Sequence, residues 1–170
     1  MSRVSPSVRY LLDTSVYSQR LRRKPDPQVI EQWKTLGDAT VATSTICEAE
    51  LIFGLQKKKS KRLWLEYESY LRDKISLIPF ERREAHAYAE IKDRLVSRGL
   101  PKGDLDIMIA ATAKANGLII ATLNAKDFEV MEGVACEDWS RLQPDYLTTN
   151  PTERETSSNI PAIREISGLT

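Results

Sequence analysis

Leu118-Ile119-Ile120-Ala121-Thr122 is an uncharged run rich in β-branched residues, preceded by Asn116-Gly117 and followed by Leu123-Asn124-Ala125-Lys126-Asp127. Strands buried on both faces of a parallel sheet read as continuous apolar runs of this kind, closed off by turn residues. Just upstream, residues 105–115 predict a helix that stops at Asn116-Gly117 and opens on Asp104 and Asp106. Working outward, Val8-Arg9-Tyr10-Leu11-Leu12, Thr40-Val41-Ala42-Thr43, Ile75-Ser76-Leu77-Ile78 and Val134-Ala135-Cys136 predict four more strands. Between them the spacing predicts helices: one opening at Asp13, one from Pro27 to about Leu36, and one from Ser44-Thr45 to Lys57-Lys58-Lys59. Further helices are expected through Trp64 and Tyr70 to about Asp73, over 82–97, and briefly over 126–129. Strands alternating with helices at this spacing predict an α/β fold, a central parallel sheet of about five strands with helices on both faces.

The chain has 170 residues, 41% of them hydrophobic and 29% charged, an ordinary soluble composition for one domain. Its 25 Lys+Arg against 24 Asp+Glu leave a net charge of +1, which excludes nucleic-acid binding by bulk charge alone. The longest apolar stretch, 107–113, is broken by Lys114, far short of the roughly 18 residues a membrane span needs. With no apolar leader after Met1 either, a cytoplasmic location is expected. From residue 143 onward the sequence is polar and aperiodic, so the domain is expected over 1–142 and a disordered, flexible C-terminal tail over 143–170.

Cys47 and Cys136 are too few and too far apart for a disulfide framework or a zinc site. His86 is the only histidine and lies in a helical stretch with no nucleophile beside it. Any chemistry therefore falls to carboxylates. Ligands of open parallel sheets bind beyond the carboxyl ends of the strands, and three places there are acidic. Asp13 follows the first strand, Asp127 lies five residues past Thr122, and Asp104 and Asp106 open the helix leading into that strand. Asp13 and Asp104 can equally be helix N-caps, and Asp127 a loop acid. Glu50 is less ordinary, because Ile46, Cys47, Phe53 and Gly54 surround it at helical spacing, and a glutamate on an apolar stripe needs a partner. Glu48, flanked by Ser44 and Thr45, reads as the solvated one. Clustered carboxylates raise one another's pKa unless a cation joins them, and all-oxygen ligation favours Mg²⁺, with Mn²⁺ second. The reaction class that uses such sites is metal-assisted phosphodiester hydrolysis.

Leu11-Leu12-Asp13-Thr14-Ser15, Ala49-Glu50-Leu51-Ile52-Phe53-Gly54, Asp106-Ile107-Met108-Ile109-Ala110-Ala111 and Ala121-Thr122-Leu123-Asn124-Ala125-Lys126-Asp127-Phe128 resemble, in order and spacing, the four motifs of PIN domains. The chain is most similar to the VapC toxins of type II toxin–antitoxin (VapBC-like) systems, over residues 10–139 with a closing Trp139. The resemblance implies a PIN-like three-layer α/β/α domain and a Mg²⁺-dependent endoribonuclease cleaving tRNA or rRNA by metal-activated water, leaving 5′-phosphate and 3′-hydroxyl ends. It implies that Asp13, Glu50 and Asp106 bind the metal, with Asp127 as a fourth, more variable acid. The Ile-Ala-Ala that follows selects Asp106 over Asp104, and Asn124 rivals Asp127. Thr14 and Ser15 are secondary candidates, Ser15 standing where many relatives carry Asn. The resemblance further implies a homodimer and a small antitoxin protein that covers the site.

Arg20, Arg22, Arg23 and Lys24 offer a grip for RNA near Asp13, and Lys57, Lys58, Lys59, Lys61 and Arg62 form a second basic cluster. Either can also be a solvated helix face. Trp64, Tyr67, Tyr70 and Leu71 form a stripe suited to an interface or to plain core. Two rival readings are a nuclease of RNA processing without an antitoxin, and a PIN-like nucleic-acid-binding or regulatory module without catalysis.

Overall fold

At the centre of the molecule lies β1 (Tyr10–Leu12), three fully buried residues paired in parallel with β2 (Val41–Ser44) on one side and β4 (Ile119–Thr122) on the other. β3 (Ser76–Ile78) and β5 (Ala135–Asp138) form the edges, giving a five-stranded parallel sheet in the order β3-β2-β1-β4-β5. The structure is a computed structural model and describes residues 4–141. The tail expected over 143–170, and the boundary at 142, lie outside the described residues.

The side-chain period of two sorts the sheet into two cores. Leu11, Ala42 and Ile120 point to one face, where they meet Ile91 and Leu95 of α5 (Arg82–Ser97) and Ile107 and Ala110 of α6 (Asp104–Asn116). Tyr10, Leu12, Val41 and Ala121 point to the other. That face is covered by α1 (Thr14–Tyr17), α2 (Pro27–Leu36), α3 (Thr45–Lys58) and α4 (Lys61–Tyr70), through Val16, Val29, Trp33, Leu51 and Tyr67. Each large apolar side chain so buried contributes about 1.5–3 kcal/mol. The result is the expected three-layer α/β/α sandwich.

Most elements fall where the sequence puts them, and the departures have local causes. The helix expected after Asp13 is four residues long and tightens into a 3-10 turn over Ser18–Leu21. Gln19 fixes that turn, donating to the Ser15 carbonyl and accepting from the Asp26 amide, so the chain turns straight into α2. α4 ends at Tyr70 rather than near Asp73, because Asp73 takes a left-handed conformation (φ 59°) that turns the chain toward β3. Asp104 is not a cap: Gly103 occupies that position and Asp104 begins the helix.

Candidate active site

Reading outward from β1, the chain passes to α-helices on one face of the sheet and returns to β2, whereas β4 lies on the opposite side of β1. The carboxyl ends of β1 and β4 therefore flank the point where strand order reverses, the usual place for a ligand. Asp13 stands there, its amide bonded to the Ala121 carbonyl at 2.9 Å. Its side chain does cap α1, with Oδ1 accepting from the Thr14 amide at 2.7 Å. Oδ2 accepts from Ser15 Oγ at 2.8 Å and from Thr122 Oγ1 at 2.9 Å. Ser15 Oγ in turn accepts from the Leu123 amide at 3.0 Å. Both ends of the switch point are thus tied to one carboxylate, and Ser15 acts by orienting it.

Glu50 reaches the same place from α3, where Thr14 Oγ1 donates to its Oε2 at 2.5 Å. Burial pushes its pKa up; the Thr14 bond opposes that, and the charges of Asp13 and Asp106 push it further up. Asp106 enters from the first turn of α6, half-buried. Burial raises its pKa first, then Asp127 and Asp13, with Lys102 acting the other way. Among the described residues no hydrogen-bond donor is directed at the Asp106 carboxylate. Four acids from four segments therefore share one electrostatic neighbourhood, and their excess of negative charge suits a bound cation.

Asp127 is the least available of the four. Lys102 Nζ donates to its Oδ1 at 2.8 Å, and Asn124 Nδ2 donates to its Oδ2. Asn124 is thereby Asp127's partner. Asp104 is turned away, accepting from Tyr88 Oη at 2.8 Å and Lys92 Nζ at 2.7 Å, contacts that hold its carboxyl low. Among the described residues no three acid, histidine or cysteine side chains form a ready-made metal-ligating group. Mg²⁺ tolerates this, since it keeps several waters and takes one or two carboxylates. All-oxygen donors, two with pKa values raised by burial and mutual repulsion, fit such an ion.

Beside Glu50 and Thr14 opens a cleft of about 650 Å³. Leu51 and Leu55 of α3 and Leu63 of α4 line it together with Arg22, Arg23, Lys58 and Arg62. Two basic clusters that are far apart in sequence therefore border one groove. Arg20 is elsewhere: its guanidinium lies 3.7 Å from the Trp33 ring centroid and pairs with Asp38 at 2.7 Å. Lys24 is exposed but does not line the cleft. His86 is exposed on α5, as its surroundings suggest. Glu48 departs from expectation. It is half-buried and accepts at 2.7 Å from Tyr67 Oη, which reaches it from α4.

Thr122 and Lys102 were not legible as site residues. For Thr122 the signal was its place at the carboxyl end of the strand next to β1; for Lys102 there was none, because its partner is 25 residues away in a different loop.

A family model described as PIN domain matches residues 10–133. The chain belongs to the PIN-domain family. It is similar to the tRNA(fMet)-specific endonuclease VapC of Shigella flexneri, 30% identical over 78% of this chain and 99% of that protein. Ribonuclease VapC1 of Rickettsia felis is 32% identical over 73% of this chain and 91% of its own. Among solved structures, the DNA-bound VapBC of Salmonella typhimurium matches with a TM-score of 0.69 at 28% identity, over 78% of this chain and 98% of that one. FitAcB of Neisseria gonorrhoeae matches with a TM-score of 0.72 at 31% identity, over 78% and 99%. Within the PIN domains the chain is thus of the VapC ribonuclease type, and the fold and family expected from its four motifs hold.

Proposed function

We propose that this PIN domain is a toxin endoribonuclease that hydrolyses RNA with Mg²⁺, or Mn²⁺, held by Asp13, Glu50 and Asp106. The observation that carries this is the meeting of these carboxylates at the switch point, where burial and neighbouring acids raise the pKa of Glu50 and Asp106, beside a cleft bordered by four cationic side chains. A bound divalent ion would supply positive charge to the phosphate and lower the pKa of the attacking water. The chain's own residues do the rest. Thr14, Ser15 and Thr122 fix the carboxylate oxygens of Asp13 and Glu50 in place. Arg22, Arg23, Lys58 and Arg62 attract the RNA backbone, and the leucines between them exclude water along the cleft.

Several of the similar solved structures are VapBC or FitAB complexes, three of them described as bound to DNA, which supports a small antitoxin as partner. Phe53, Leu65 and Tyr70, each more than half exposed on α3 and α4, supply apolar surface for that partner or for a homodimer. Among the described residues no helix is long and apolar enough to cross a membrane, in keeping with the cytoplasm as its place of work.

The purified protein is expected to cleave total cellular RNA and tRNA in Mg²⁺ and to stop in EDTA. Replacing Arg22 and Arg23 together with alanine is expected to raise KM with kcat little changed. The slope of log affinity against log salt should fall by about 1.4, two phosphate contacts at ~0.7 each on single strands. Well-folded protein that binds RNA without cutting it favours the regulatory-module reading instead, and an unchanged salt slope removes the cleft from the RNA path.

A further inference from the structure

The loop between α5 and α6 brings one lysine into the acidic site. Lys102 Nζ lies 2.8 Å from Asp127 Oδ1, and its side chain is only 23% exposed. Asn124 holds the other oxygen of Asp127, so the carboxylate is fixed from both sides and the ammonium with it. The charge of Lys102 also reaches Asp106, where it opposes the three influences that raise that carboxyl. Lys102 does not line the cleft bordered by Arg22, Arg23, Lys58 and Arg62. Those cations accompany Glu50, whereas Lys102 accompanies Asp106 and Asp127.

As a stabilising device this pair has little to offer, since partly exposed ion pairs contribute about 0–1 kcal/mol. Its placement suits a substrate better. An ammonium carries three N–H donors, and among the described residues Lys102 spends one of them, on Asp127. A phosphodiester entering the site brings a negative charge to a neighbourhood of four carboxylates. A protein-borne cation fixed among them offsets that repulsion without reorganising at the moment of reaction.

We propose that Lys102 is a substrate-binding residue of the cleavage reaction, held in place by Asp127 so that its free N–H groups take a non-bridging oxygen of the scissile phosphate. Asp127 then serves chiefly to position Lys102 instead of holding the metal. Lys102 stays protonated throughout, and no bond to it forms or breaks. This rests on the ribonuclease reading.

The test compares wild type, Lys102→Met and Lys102→Arg in the full-length protein. Single-turnover cleavage of a single-stranded RNA, affinity for the same RNA in EDTA across a salt series, and Mn²⁺ binding by calorimetry are measured. For Lys102→Met the expected results are a rate about 10²-fold lower and a salt slope lower by about 0.7. Its Mn²⁺ affinity should be unchanged or tighter, since a neighbouring positive charge is gone. Lys102→Arg should restore the slope and part of the rate. A Lys102→Met protein that cuts like wild type with the same slope overturns the proposal and leaves the ribonuclease reading intact. Loss of Mn²⁺ binding in that variant also overturns it, by placing Lys102 in the upkeep of the metal site. Wild-type protein that does not cut RNA overturns both.

Discussion

Asp106→Asn is expected to lower RNA cleavage by about 10³-fold while making the metal-free protein more stable. The first effect is of the size seen when one group that stabilises transition-state charge is removed. The second follows from the charge on Asp106. Burial, then Asp127 and Asp13, raise its carboxyl above the ordinary aspartate range, so the native state holds that proton more tightly than the unfolded chain does. Stability is therefore lost as pH rises from the unfolded value near 4 into the raised range, and it stays lost at neutral pH. Glu50 acts in the same direction. Asp104 and Glu90, held low by lysine partners, act in the opposite direction, but both are solvent-exposed and screened.

Asparagine at 106 removes the raised carboxyl. Half-exposure screens the repulsion, so the gain is of order 1 kcal/mol, about 2–4 °C in Tm for a domain of this size. Thermal melts in EDTA from pH 5 to 8 should show wild type falling below Asp106→Asn as pH rises. Added Mg²⁺ should then raise the wild type more than the variant, because an ion that binds only the native state stabilises it by mass action. Equal Tm values in EDTA at every pH would mean that the acids do not repel one another as argued. Equal cleavage would take Asp106 out of the reaction.

The largest effect on stability is expected from Trp139→Ala. Trp139 is fully buried, its ring 5.4 Å from that of Tyr10 in an edge-on contact, and its amide donates to the Thr122 carbonyl at 2.9 Å. It thereby joins the end of β5 to β4 and to central β1, directly behind the strand end whose Thr122 hydroxyl holds Asp13. Truncating a buried tryptophan costs about 3–5 kcal/mol, much of the roughly 5–15 kcal/mol that holds a domain together. The denaturant midpoint should fall accordingly with an unchanged m value. Trp139→Phe should be milder, within about 2 kcal/mol, because it keeps an aromatic ring and removes an indole N–H that is buried without a partner among the described residues. A loss below about 1 kcal/mol for Trp139→Ala would show that β5 is not fastened through this residue.

What the sequence disclosed was whatever depends on near neighbours in the chain. β4 was readable because burial on both faces makes its residues apolar without alternation, and α2, α3, α5 and α6 because their caps lie beside their apolar stripes. Asp13, Asp106 and Asp127 were readable because each sits at an element end, and Glu50 because it stands on an apolar stripe inside α3. Whether Asp13 is a cap or a site residue was left open by the sequence, and the geometry shows that the two are compatible, since one oxygen caps α1 while the other accepts from Ser15 and Thr122 at the switch point.

What stayed hidden depends on partners far away in sequence. Arg20 looked like part of an RNA grip because neither Asp38 nor the face of Trp33 can be located from charge spacing. Glu48 looked solvated because only its own helix was counted, and Tyr67 arrives from the next one. Thr122 meets Asp13 across 109 residues, and the cleft joins Arg22 and Arg23 to Lys58 and Arg62 through side chains of both α3 and α4. Lys59, in a left-handed conformation at φ 48°, ends α3 and turns the chain into α4.

The most direct test of the account is the chemistry of the cut ends. Wild-type protein freed of any partner should cleave RNA in Mg²⁺ to fragments with 5′-phosphate and 3′-hydroxyl ends, as the proposed metal-assisted attack of water on phosphorus requires. Cleavage that persists in EDTA and leaves 2′,3′-cyclic phosphates would contradict it, since the ribose hydroxyl would then be the nucleophile and Asp13, Glu50 and Asp106 would not be the centre of the reaction.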